Sequence, residues 1–144
     1  MKRIAFIGFA ALLLVFVGFC ASVPVVNDLH AKSVADGLAA LPLPEDTRIA
    51  EKKSIADKLW GNGNGMQYFG ALLLESGLPV EELQASYPDC EVRKQTGRRI
   101  EVVEHGNYTF KTEISSDGYY IVYALGKHDS PLIELYAELD LRGR

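Results

Sequence analysis

Gly61-Asn62-Gly63-Asn64-Gly65-Met66-Gln67-Tyr68-Phe69-Gly70-Ala71-Leu72-Leu73-Leu74-Glu75 is the run whose reading decides the fold. From Met66 to Glu75 the side chains divide into two alternating sets, as a strand requires. Met66, Tyr68, Gly70, Leu72 and Leu74 share one face; Gln67, Phe69, Ala71 and Leu73 share the other. Both faces are largely apolar, which marks a central strand covered on each side. Gly70 should mark a bend or a close approach. The Gly-Asn run upstream is built from residues that accept positive φ in tight reversals between strands. A glycine-rich loop can cradle phosphate where it opens a helix. This one opens a strand, and no Gly-Lys-Ser/Thr follows.

Going back from that loop, Glu45–Trp60 fits two descriptions. Propensity favours a helix capped by Asp46 or Thr47. The following turn and strand favour a strand with Ile49, Ile55 and Leu59 on one face, and we expect the strand. Going forward, Pro79–Tyr87 reads as a short helix: proline suits its first turn, Glu81 and Glu82 complement the dipole, and Leu83 and Tyr87 share a face. Pro88 ends it. The rest reads as strands at Ile100–Val103, Tyr108–Ile114, Tyr119–Leu125 and Ile133–Leu141, separated by turns at His105–Asn107, Ser115–Gly118 and Gly126–Pro131. Short connections imply an antiparallel meander. The expected fold class is α+β: an N-terminal transmembrane helix, then an antiparallel sheet of about six strands packed with one short helix.

Ile4–Val26 holds 23 residues and no Asp, Glu, Lys, Arg or His. A bilayer core needs roughly 20 apolar residues in a helix, and a lone segment in hydrocarbon can satisfy its backbone only as a helix. Lys2 and Arg3 precede it, so the positive-inside bias leaves the N-terminus in the cytoplasm and exports the remainder. Cys20-Ala21-Ser22 is a passable signal-cleavage site, but the run is as long as a signal allows and continues through Val26, which favours an uncleaved signal anchor. Lipidation at Cys20 is disfavoured by bulky Phe19 before it. Three parts are expected: residues 1–26 as anchor, 27–44 as juxtamembrane helix and proline linker, and 45–144 as an extracytoplasmic domain at the cell membrane. The middle part reads as a helix with Leu29, Val34, Leu38 and Leu41 on its apolar side, stopped by Leu41-Pro42-Leu43-Pro44.

Thirteen of the fifteen Lys and Arg and all nineteen acidic residues follow Val26, leaving that part at −6 before histidines. This balance argues against nucleic acid, whose binding rests on neutralising phosphates, and against an anionic lipid surface. The basic cluster Arg93, Lys94, Arg98, Arg99 reads as a solvated loop. Cys90 is alone in the exported part, so no disulfide scaffold is expected. His30, His105 and His128 belong to no metal-binding spacing. His128-Asp129-Ser130 has triad residue types, but neighbours in sequence cannot converge on one site. Glu134, Glu138 and Asp140 read as a solvated strand face, and Tyr119, Tyr120, Tyr123 and Tyr136 as packing. No catalytic, cofactor or metal residue is therefore assigned.

Pro42-Leu43-Pro44-Glu45-Asp46-Thr47, the Gly61–Ala71 run and Glu81-Glu82-Leu83, in this order, resemble a group of small, uncharacterised, membrane-anchored bacterial proteins with an LPLP linker and a Gly-Asn loop before an MQYFGA-type strand. The resemblance covers roughly residues 1–90. It implies the anchor and the hairpin and carries no activity. The expected function is a non-enzymatic, membrane-tethered binding or assembly module. It meets the lipid bilayer through Ile4–Val26 and another envelope protein through the sheet or through the loop of Trp60, Asn62, Asn64 and Met66. The alternatives are a small exported hydrolase or ligand binder with a helix–sheet cleft and His105 or His128 as base, or an immunity or inhibitor protein.

Overall fold

A computed structural model describes residues 2–115 and 117–144 and is α+β. A long helix, α1 (Lys2–Ala39), precedes four strands: β1 (Thr47–Asp57), β2 (Gln67–Ser76), β3 (Glu91–Lys94) and β4 (Tyr119–Leu125). They form one antiparallel sheet in the order β1-β2-β4-β3. Helix α2 (Val80–Ser86) joins β2 to β3, α3 (Pro131–Leu139) follows β4, and a single 3-10 turn covers Leu141–Gly143.

β2 is central, as its two apolar faces require. Phe69, Ala71 and Leu73 pack with Ile55, Phe110 and Ile121 on one side. On the other side Leu72 and Leu74 meet Leu38, Leu83 and Tyr87, while Met66 and Tyr68 meet Ala31 and Ala137. All three helices thus cover one face. The irregular chain between β3 and β4 covers the other with Ile100, Val103 and Phe110. Gly70 is the point of closest approach: a Cβ there would stand 2.5 Å from Ala35 N and 2.8 Å from the Val34 carbonyl carbon.

The expected juxtamembrane helix is the upper half of α1, which passes through Pro24 without ending. Its first half leaves Phe6, Phe9, Leu12, Leu14 and Phe16 bare, and the helix is long and apolar enough to cross a membrane. Its second half buries Val23, Asn27, Ala31, Ala35 and Leu38. Of the expected stripe of Leu29, Val34, Leu38 and Leu41, Leu38 is buried and Val34 packs on the sheet, whereas Leu29 and Leu41 are exposed. At Gly70 the helix backbone at Val34 and Ala35 and the Val34 side chain press against the strand, a contact that a glycine there admits.

Among the described residues the sheet has four strands rather than the six or so expected. Tyr108–Ile114 and Ile100–Val103 make only an isolated Arg99–Thr109 bridge, with Ile100 N donating to Tyr108 O and Phe110 N to Arg98 O. Their apolar residues still reach the core, but as a lid over the sheet. Most of the expected strand Ile133–Leu141 is helical, through Leu139: the Ser130 side chain accepts from Ile133 N and Pro131 occupies the first turn, a start signal that strand-like alternation obscured. The basic Arg93 and Lys94, expected in a loop, lie on edge strand β3. β1 is a strand as expected, but Ile49 and Ile55 face opposite ways. The register slips between Ile49 and Glu51, and one extra residue reverses every side chain beyond it.

Candidate functional site

The most organised polar constellation lies where β1 ends and β2 begins, against the middle of α1. Spacing of four along α1 places Asn27 in line with Val23 and Ala31, facing the sheet. Asn27 is wholly buried. Its Nδ2 donates to Tyr136 O at 3.0 Å and to Asp140 Oδ2 at 2.8 Å, and its Oδ1 accepts from the Tyr68 hydroxyl at 2.7 Å. Both N–H groups and one of the two oxygen lone pairs of this amide are thus spent on β2, α3 and the C-terminal turn.

Arg142 closes the constellation from outside. Its guanidinium binds Asp140, Asp28 at 2.9 Å and the Pro24 carbonyl at 3.2 Å. Asp140 itself is buried. Burial opposes its charge, but hydrogen bonds from Arg142 and Asn27 prevail and hold its carboxyl down at about 2. Tyr68 is driven the other way, to about 12, by burial and by the Asp140 charge. Every charge here has a partner, so the arrangement clamps chain segments and supplies neither a nucleophile nor a free base.

A cleft of about 440 Å³ adjoins it, lined by Asp28, Lys53, Asp57, Tyr108 and Arg142 among others. Its polar groups are also engaged: the Tyr108 hydroxyl donates to Asp57, and Lys53 Nζ donates to Thr109 O at 3.2 Å. Burial, then the Asp57 carboxylate, raises the Tyr108 phenol, which keeps it a donor.

The loop singled out from sequence divides. Asn62 and Asn64 are exposed at its tip. Met66 is 1% exposed and belongs to the core beneath α1. Trp60 is half-buried, with Nε1 donating to Val102 O at 3.0 Å and its ring 6.0 Å from Phe69. Gln67 Oε1 accepts from the Leu59 and Trp60 amides, and Gly65 N donates to Gly143 O at 2.8 Å. The loop base is thus pinned to the C-terminal turn, and of the four residues singled out only the asparagines are exposed. Gly61 and Gly65 take positive φ, as a turn needs.

The histidines are scattered in role. His105 Nε2 lies 2.8 Å from Gly61 O. His30 and His128 flank the Tyr68 ring at 4.4 and 5.2 Å, and His30 Nε2 contacts Lys127 O. His128 has no part in the carboxylate-lined cleft, nor does His105. Among the described residues no three His, Cys, Asp or Glu gather as a metal-holding group. Glu134 and Glu138 are solvated on α3, whereas Asp140, grouped with them from sequence, turns inward. Tyr119 and Tyr123 pack in the core. Cys90 is half-buried and its thiol is pushed up by burial.

Asn27, Tyr68, Asp140 and Arg142 were missed from sequence as a group. The available signal was the spacing of Asn27 with Val23, Ala31 and Ala35. Its partners lie more than forty residues away, beyond any local pattern. No family model, curated protein or solved structure matches the chain.

Proposed function

We propose that this is a single-pass membrane protein whose exported α+β domain is a non-enzymatic binding or assembly module for another envelope protein. One observation carries the proposal. The bare apolar half of α1 continues without a break into the half that packs on the sheet. Such a helix would hold the domain at a fixed height and attitude over the bilayer. Apolar surface of this extent calls for hydrocarbon or protein cover, and Lys2-Arg3 favours a cytoplasmic N-terminus. Packing of Phe19 on Tyr136 at 5.7 Å lies before any cut at Cys20–Ser22 and supports an uncleaved anchor. On this reading the Asn62–Asn64 tip sits at the bilayer end of the domain, so its partner is met close to the membrane. The hydrolase alternative has less support, because its two candidate bases lie apart from the carboxylates of the cleft. An inhibitor role has only the acidic balance in its favour.

The test is photo-cross-linking in intact membranes from Asn62 and Asn64, alongside protease added to whole cells. A reproducible adduct at the loop tip and external cleavage of the domain are the expected results. Protection of the domain, or no adduct from either position, would overturn the proposal.

A further inference from the structure

Helix α3 leaves a row of leucines uncovered: Leu132, Leu135 and Leu139, followed by Leu141, which is 79% exposed. These are not scattered surface residues. α3 starts beside the His30 level of α1 and descends alongside it. Tyr136 stacks near Phe19, and Leu139 and Leu141 border an apolar groove of about 540 Å³ with Phe16, Phe19 and Val23. The leucine row is therefore continuous with the bare surface of the anchor.

Depth follows from the rise of the helix. A hydrocarbon core of about 30 Å takes up about 20 residues at 1.5 Å each. Starting at Ile4, it ends near Val23, so Phe16–Cys20 lies within the distal leaflet. Arg142 bonds the Pro24 carbonyl and Asp28, which fixes the turn just above that boundary. Leu139 and Leu141 then fall at or below it.

We propose that the lower end of α3 and the C-terminal turn are seated at the edge of the distal leaflet, with phospholipid acyl chains covering Leu139 and Leu141 and filling the groove beside Phe19. This rests on the membrane reading of α1. Glu134 and Glu138 offset Arg142 and Arg144 nearby, so burial of the leucines drives the seating and anionic headgroups are not required.

The test uses the full-length chain with Cys20→Ser and Cys90→Ser, reconstituted in phosphatidylcholine vesicles. A fluorophore is placed singly at Leu13→Cys, Leu139→Cys, Leu141→Cys or Glu82→Cys, and quenched by nitroxide high on the acyl chain or by aqueous iodide. Loss of emission to the lipid quencher at 139 and 141 as large as at 13, with 82 quenched only by iodide, is expected. Adding phosphatidylglycerol should leave the pattern unchanged. If 13 is lipid-quenched while 139 and 141 follow 82, the anchor reading stands and the inference is overturned. If 139 and 141 are shielded from both quenchers, protein covers the face and the inference is again overturned. If 13 is itself quenched by iodide alone, the membrane reading fails and takes the inference with it.

Discussion

Asn27 joins three segments that are distant in sequence, and its removal should cost more than any substitution on the surface. Asn27→Ala leaves the Tyr68 hydroxyl and one Asp140 oxygen short of a buried partner. A stability loss of about 2–4 kcal/mol is expected, read as a lowered unfolding midpoint in detergent. Asn62→Ala, at the exposed loop tip, should stay within about 0.5 kcal/mol. Gly70→Ala meets helix backbone, which cannot swing aside as a side chain can. It should cost about 1–3 kcal/mol, whereas Gly63→Ala, in open space, should be nearly neutral. The pH dependence follows from Asp140. Its folded carboxyl titrates at about 2 against an ordinary 3.8, so the unfolded chain takes up the proton first. The stabilisation is complete above the ordinary value and drains away as pH falls through 3.8 toward 2, on the order of 2 kcal/mol in all. Acid titration of Asp140→Asn should lack this component. Equal acid loss in both proteins would refute the assignment.

At the scale of elements, α3 depends on its start. Ser130 caps Ile133 N and Pro131 presets the first turn. Ser130→Ala should lower stability by about 1 kcal/mol, measurable by the same unfolding midpoint. Alternation in Ile133–Leu141 matched a strand because nine residues also satisfy helical spacing: Ile133 and Ala137 face the core while Leu132, Leu135 and Leu139 face out. The Ser-Pro signal decides between the two, since a proline that lacks an N–H is at home in a helix's first turn. β1 shows the reverse case. Its helical propensity was overridden by pairing with β2 along its whole length, and the slip near Ala50 could be seen only in the register.

For the whole molecule, the C-terminal turn acts as a clasp between α1 and the sheet domain. Asp140 and Arg142 tie it to Asn27, Asp28 and Pro24, and Gly143 ties it to the Gly-Asn loop. Deleting residues 140–144 should loosen the domain on α1. Spin labels at Leu13→Cys and Glu82→Cys would report this as a broadened distance distribution in the reconstituted protein. An unchanged distribution would show that α1 packing alone fixes the attitude.

The chain by itself determined the features that rest on local, repeated chemistry. These are the apolar helix from Ile4, the central strand with Gly70 as a close approach, the glycine turn before it, and the short helix ended by Pro88. Each is visible because neighbouring residues share one constraint, either a periodicity or a backbone restriction. The tertiary structure alone decided that α1 would lie on the sheet through its alanines, that Ile100, Val103 and Phe110 would form a lid instead of strands, and that Met66 would be core. It also gathered Asn27, Tyr68, Asp140 and Arg142. Those outcomes depend on which surfaces meet, and a buried polar group is satisfied by partners that folding brings together from across the chain.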